Sequence, residues 1–556
     1  MITVEAWQPA DGLTLEPNAK RAAKARKRCL ALTAGPGAGK TEMLAQRADF
    51  LLRTGICRYP KRILAISFKV DASRNLKERV ERRCGPELAS RFDSYTFHAF
   101  AKRILDRFRT VLTGEDAINA GYTIVDKKNG PSRTQIEFSD LVPLAIQILQ
   151  SSIIARNAIR QTYSDVFLDE FQDCTNLQYD LIKLAFQGTP IRLTAVGDTK
   201  QKIMAWAGAL DGIFQTFVND FNAVPLNMYR NFRSKPQLLR VQNEIIRTLD
   251  PASVMPDEQL GGNEGEVYAW RFEDSQSEAI YLADLISGWI NTEQLPPAEI
   301  AVLVSKQLDL YADHLMAELE ARGIPYRNEQ QLQDITVEPA ARLIVDYLSC
   351  LYGKREPKAW IRLMNQLIPF ADEEIQSSVR KDLDQLIKKQ RKKVSDAKKT
   401  NTPFSDWWTF VIAFLNHIGQ ETIVALSSDY ESQKRLLDVV RDTKARIESL
   451  LEIESDLPLA LGRFADDQAV RILTIHKSKG LEFDSVIIMA VENEIFFGNE
   501  DENRCAFFVG VSRAKRRLVL THTNQRARPE NAKRWNVRRT VQSEYFSYVT
   551  PFVRKK

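Results

Sequence analysis

The chain is poor in cysteine: six in 556 residues (Cys29, Cys57, Cys84, Cys174, Cys350 and Cys505), scattered and with no C-x-x-C pair. That pattern argues against a disulfide framework and against a zinc or iron–sulfur site. Long apolar runs are missing as well; none approaches the roughly 18–20 residues that span a bilayer. The opening stretch, "MITVEAWQPADGLTLEP", has no basic segment followed by an apolar core, so no secretory leader is expected. These absences fit a reducing cytoplasm, with no membrane contact. Strong charge is absent too. A formal net charge of +6 and a pI near 8.8 permit nucleic-acid binding without demanding it.

What is present is ordinary soluble composition, 44% hydrophobic and 27% charged. The length suggests roughly two to four domains. Basic clusters stand at 19–28 ("AKRAAKARKR"), 388–399 ("KKQRKKVSDAKK") and 534–539 ("RWNVRR"). Such runs are more often solvated faces than phosphate contacts.

The most specific stretch is "LTAGPGAGKTEML", residues 32–44. An apolar strand (Cys29–Thr33) runs into a Gly-rich turn and then an amphipathic helix from Lys40. That is the setting a phosphate loop requires. Gly35, Pro36, Gly37, Ala38 and Gly39 would turn backbone N–H groups toward phosphate oxygens, aided by the helix N-terminus. Lys40 can reach the β and γ phosphates, and the Thr41 hydroxyl can ligate Mg²⁺. Ala34 stands where the first glycine of G-x-x-x-x-G-K-[ST] is usual. A second strand, Val166–Leu168 in "YSDVFLDEFQDCTNLQYDLI", ends in Asp169 and Glu170. Adjacent carboxylates at a buried strand end repel each other without a cation, which favours a metal site. Asp169 would hold Mg²⁺, and Glu170 would orient and deprotonate the attacking water.

"DEFQD" has the form D-E-x-Q-D. It resembles motif II of the superfamily 1 helicases of the UvrD/Rep/PcrA type, which commonly open the loop as A-G-x-G-x-G-K-T. Ala34 then matches the family. The resemblance runs along nearly the whole chain. "KRILAISFKVDASRNLKERV" (61–80) resembles motif Ia, "SYTFHAFAKRIL" (94–105) motif Ib and "RLTAVGDTKQKIMAWAGA" (192–209) motif III. "MYRNFRSKPQLL" (228–239) resembles motif IV, "VRILTIHKSKGLEFDSVIIMAV" (470–491) motif V and "DENRCAFFVGVSRAKRRLVLTHT" (501–523) motif VI.

The resemblance implies roles for individual positions. Gln201 would sense the γ-phosphate. Arg233 and Arg513 would be arginine fingers from opposite sides of a cleft. Phe232 would stack on adenine, and Gly480 and Glu482 would lie toward the nucleotide. Phe68, Lys69, Thr96, His98, Trp206, Thr474 and His476 would contact DNA. Some positions depart from the family. A glutamine that reads adenine usually sits upstream of the loop; "LTLEPNAKRAA" has none, and Asn18 there is a weak substitute. Glu42 replaces an arginine often found after the threonine, and Met204 and Ala207 replace tyrosine and arginine in motif III.

The fold this implies is α/β: two RecA-like P-loop NTPase motor domains, each with a mostly helical insertion. The expected divisions are 1–98, 139–261 (first motor), 262–352, 466–556 (second motor), with insertions at 99–138 and 353–465. Trp407 and Trp408 in the second insertion are expected to be core. No fused nuclease is expected: Pro256–Asp257 lacks a following acid-x-Lys, and the stretch after about 523 is short. The implied activity is ATP- and Mg²⁺-dependent 3′–5′ translocation on single-stranded or tailed duplex DNA. A competing reading is a DNA-stimulated ATPase that regulates a nuclease partner. The compact insertions resemble, in organisation, the helicase subunit of Gabija-type phage-defence systems. A small-molecule kinase would leave motifs III–VI unexplained.

Overall fold

The computed structural model describes residues 1–67, 70–125, 127–128, 130, 132–201, 212–256, 258, 260–328, 335, 338–353, 356–367, 373–399, 407–424, 426–427, 430, 433–462, 464, 469–529, 532 and 535–554. The strands, in chain order, are β1 (Leu30–Ala34), β2 (Arg62–Ser67), β3 (Phe92–Thr96), β4 (Thr123–Val125), β5 (Gln135–Glu137), β6 (Tyr163–Leu168) and β7 (Arg192–Gly197). They continue as β8 (Val224–Met228), β9 (Glu266–Asp274), β10 (Ile300–Val304), β11 (Tyr326–Asn328), β12 (Val470–Thr474), β13 (Phe483–Ile488) and β14 (Ala514–Gln525).

Two six-stranded sheets result, ordered β3-β2-β6-β7-β1-β8 and β11-β12-β10-β13-β14-β9. Every pairing in both is parallel. Parallel strands are covered by helices on both faces, so they read as continuous apolar runs instead of alternating ones. "LALTA", "RILAIS" and "IAVLV" are such runs, and their residues are almost all buried. Parallel order also puts all strand C-termini on one edge, where open α/β sheets bind ligands. The Gly-rich loop follows β1, the acid pair follows β6, and β12 opens motif V.

The helix Lys40–Arg53 buries Met43, Leu44, Ala45 and Ala48 through Leu52 against one face of the first sheet. The other face packs on the helices Phe97–Phe108 and Leu141–Ser151. The stretch 99–138 holds most of Phe97–Phe108, short 3-10 turns and the small parallel pair β4–β5, which the sequence pattern did not suggest. The stretch 353–465 contains the helices Pro357–Leu367, Glu373–Lys399, Trp407–Ile418, Gln420–Val424, Gln433–Ile453 and Leu457–Gly462. Trp407 is buried there and Trp408 partly so.

Two divisions differ from the sequence expectation. The helix Pro236–Leu249 lies before 261, yet its Leu238, Val241 and Ile245 belong to the second lobe's core. The chain therefore crosses between lobes just after Arg233. The helix Pro339–Tyr352 lies before 353, yet Leu343, Ile344, Tyr347 and Leu348 pack with the helical insertion, in a cluster continuous with the first lobe. Apolar periodicity tells which face of a helix is buried but not which neighbour buries it.

Candidate active site

The phosphate loop is shaped by glycine where the backbone demands it. Gly37 (φ +67) and Gly39 (φ +79) are left-handed, a conformation L side chains rarely adopt. A Cβ at Gly37 would lie 2.6 Å from Asn231 Oδ1 and 2.7 Å from Arg233 Cβ, so motif IV presses directly on the loop. The Phe232 N–H donates to Gly37 O at 2.9 Å, which ties the two segments together. Ala34 is the buried last residue of β1. Its backbone is strand, not turn, so a Cβ is accommodated and glycine is not needed. The Lys40 ammonium donates to Ala34 O (3.3 Å) and Gly35 O (3.4 Å), folded over the loop it serves.

Facing the loop, Asp169 is buried at the end of β6 and Glu170 follows with φ +50. A left-handed glutamate is strained and persists only when its surroundings hold it. Gln172 does so: its Nε2 donates to Glu170 Oε2 at 2.6 Å, while its Oε1 accepts from the Asp198 N–H at 2.9 Å. Gln172 thereby joins motif II to the turn after β7. At Gly197, the last residue of β7, a Cβ would collide with Gln172 Oε1. Burial, and then the adjacent Glu170, push the Asp169 carboxyl up. Burial acts the same way on Glu170, but Lys40 and Lys479 outweigh it and hold that carboxyl down. A buried carboxylate pair of this kind fits a divalent cation, and Thr41 lines the same cleft.

The second lobe closes over this site. A cleft of about 270 Å³ is lined by the loop from Pro36 to Glu42, by Arg79, Glu170, Phe232 and Arg233, and across it by Gly480, Glu482 and Arg513. Arg233 Nε donates to Glu482 Oε2 at 2.8 Å and its Nη1 donates to Ser512 O at 2.9 Å. Arg513 is only 2% exposed. Its guanidinium donates to Val509 O, Leu481 O and Ser512 Oγ. Burial, then the nearby Arg233, lower it to about 9, so it remains charged at neutral pH. Asp173 Oδ2 accepts from Lys479 Nζ at 2.5 Å, a buried ion pair between motifs II and V. Ser234 Oγ donates to Ala514 O at 2.7 Å. Both lobes thus contribute charge to one cleft.

Among the residues expected to contact DNA, Thr96 caps the helix Phe97–Phe108, its Oγ1 accepting from the Ala99 N–H at 3.1 Å. His98 packs its ring on Phe138, centroids 4.3 Å apart, and burial lowers it to about 4. It is therefore neutral at physiological pH and could meet a phosphate only as a neutral donor. Thr474 ends β12 and His476 follows two residues later, and burial lowers His476 as well. Phe68, Lys69, Met204, Trp206 and Ala207 lie outside the described residues, and Gln201 is placed only by its backbone, in the 3-10 turn Thr199–Gln201. The Asn18 Nδ2 donates to Asn227 O at 2.7 Å. Sequence reasoning assigned no role to Gln172, Asp173, Asn231 or Lys479, although "DEFQD" contained the first two. Gln172 reaches Asp198, 26 positions away, and Asp173 reaches Lys479, 306 positions away.

Fold and site together define a class: a two-lobed P-loop nucleotide hydrolase with its site at the lobe interface. The descriptions that match the chain agree. The UvrD/REP helicase N-terminal domain matches residues 15–136 and 128–222, and the UvrD-like helicase C-terminal domain matches 226–405 and 375–525. The chain therefore belongs to the UvrD/Rep helicase family. It is 23% identical to a probable DNA helicase II homolog of Mycoplasma genitalium, over 88% of this chain and 82% of that protein. It is 24% identical to the ATP-dependent DNA helicase Rep of Escherichia coli, over 90% and 89%. With the ATP-dependent DNA helicase PcrA of Leuconostoc citreum the figures are 23%, 89% and 80%. Among the described residues, no single helix is long and apolar enough to cross a membrane.

Proposed function

We propose that this chain is an ATP-driven DNA helicase or translocase that moves 3′ to 5′ on single-stranded DNA. The observation that carries the reading is the meeting of Lys40, Glu170, Arg233 and Arg513 around one cleft between two parallel-sheet lobes. Phosphoryl transfer spreads negative charge over the γ-phosphoryl oxygens, and fixed cationic donors stabilise it. Lys40 and the loop N–H groups bind the phosphates. Glu170, held ionised, accepts the proton of the attacking water. Arg233 and Arg513 complete the site only while the lobes are together, so binding and hydrolysis are coupled to lobe closure. Thr41 and Asp169 would hold Mg²⁺, which supplies charge neutralisation on the phosphates. The family membership and the named activities of the relatives support DNA as the track. Thr96, His98, Thr474 and His476 are the described candidates for its contacts, with Phe68, Lys69 and Trp206 beside them in sequence motifs.

Glu170→Gln should retain ATP binding and lose turnover, read by equilibrium nucleotide binding and by phosphate release. Near wild-type turnover in that variant would remove Glu170 as the base. The purified chain should displace a strand from a 3′-tailed duplex and not from a 5′-tailed one. DNA-stimulated hydrolysis without displacement would instead favour the reading as a regulatory subunit of a nuclease-containing complex.

A further inference from the structure

A second cavity, of about 610 Å³, opens between the first lobe and the helical insertion. It shares no lining residue with the nucleotide cleft. The helix Val70–Cys84 supplies Lys77 to its lining, β3 supplies Tyr95, and the helix Phe97–Phe108 supplies Arg103. The insertion supplies Lys358 from the helix Pro357–Leu367. None of the three cationic heads makes a hydrogen bond or an ion pair among the described residues. The carboxylates close by are taken. Asp93, which acts on Lys77, is held by Arg62 through Nε (2.7 Å) and Nη2 (2.6 Å). Burial outweighs its pull and lowers Lys77 to about 8. Asp346 is held by Arg362, four residues beyond Lys358, at 2.5 and 3.0 Å. Arg103 rests on the Tyr95 ring, 4.2 Å from its centroid.

The whole lining holds five cationic side chains against two acidic ones, Glu78 and Glu81. Pro86, Ala99, Ile361 and Leu426 add an apolar wall. A cation withdrawn from water without a counter-charge is costly, and a bound anion removes that cost. A cavity of this volume, with apolar walls and a few converging charges, is built on the scale of a small-ligand site. A phosphate ester meets both features, because it puts nearly two negative charges and several strong acceptors on a compact head. We propose that this cavity is a phosphate-recognition site for a nucleotide: the phosphate is held by Lys77, Arg103 and Lys358, and the rest of the ligand lies along the apolar wall. The nucleotide is either free or one unit of the DNA strand, since Thr96, a candidate DNA contact, lines the same cavity. Lys77 and Arg103 belong to the first lobe and Lys358 to the insertion, so an occupied site ties the two together. The inference is separate from the ATPase reading, and its test reads binding instead of turnover.

The test titrates the full chain, its nucleotide cleft already filled by a non-hydrolysable ATP analogue, with thymidine 5′-monophosphate and separately with oligothymidylate. Lys77→Met and Lys358→Met should each weaken binding about tenfold or more, the scale of a lost hydrogen bond to a charged group. Lys27→Met, which removes an exposed lysine outside the cavity, is the control for loss of charge alone. Weakened monophosphate binding in both variants identifies a free nucleotide as the ligand, and thymidine without phosphate should then bind far less well. An effect confined to oligothymidylate, and larger than that of Lys27→Met, identifies the strand. Lys77→Met should melt no lower than the wild type, since it removes a cation that has no partner. Unchanged affinity for both ligands in both variants would overturn the site. So would losses no larger than the control's, or a lowered melting temperature with binding intact, which would make Lys77 a structural residue.

Discussion

Gln172 shows how one residue can tie two parts of a site together. It holds a left-handed Glu170 by one amide end and the Asp198 N–H by the other. Gly197 exists to let it pass, since a Cβ there would collide with Gln172 Oε1. Gly197→Ala should therefore displace Gln172 and free Glu170 from its strained position. We expect the rate of ATP hydrolysis to fall by at least about tenfold, on the scale of losing a positioned general base. Thermal stability should drop modestly, by about 1–3 kcal/mol, as for an overpacked core site. Phosphate-release kinetics and a melting curve on the same preparation check both halves. The candidate site residues Lys40, Thr41, Asp169 and Glu170 could be singled out in sequence because their motifs are local. Gln172's role was not, because its second partner lies in another strand's turn.

At the scale of elements, charged contacts join the two lobes across the cleft. Asp173–Lys479 is the buried one, with side chains 3% and 6% exposed, while Arg233–Glu482 is more open. Removing one member of a buried pair costs about 3–5 kcal/mol, whereas replacing both by apolar groups is often neutral. Asp173→Asn should thus destabilise the chain more than the double change Asp173→Asn with Lys479→Met. A double-mutant cycle on denaturant midpoints checks this, and additive effects would mean that the two side chains do not interact. The same pair links motif II to motif V, so the single variant should also weaken the stimulation of ATP hydrolysis by DNA.

At the scale of the whole molecule, the helical insertion is part of the core. Tyr347 stacks on Phe414 with centroids 4.0 Å apart and planes 3° from parallel. The cluster they belong to runs on through Phe100 and Ile104 to the first sheet. A chain lacking residues 353–465 should therefore expose the apolar face of Pro339–Tyr352 and aggregate, which size-exclusion chromatography would report. A monodisperse, ATP-hydrolysing product would show that the insertion is a detachable module. The number of lobes and the run of motifs were readable beforehand, because each parallel strand with its following loop is a contiguous signal. The crossing of the chain at Arg233 and the early start of the insertion at Pro339 were not, because an amphipathic helix looks the same whichever core it joins.

By itself, the sequence determined the phosphate loop, the acid pair, the two arginines and the family, since short spacing is enough to specify a turn, a strand end and a helix start. Tertiary structure alone decided what those residues do to one another. Arg79 and Glu42 are 37 positions apart, Arg233 and Glu482 are 249, and Lys479 and Asp173 are 306. Their meeting depends on how helices cover two sheets. Glu42 is seated among Arg79, Arg83 and Gln46 at the edge of the cleft, a grouping that no local pattern could have placed there.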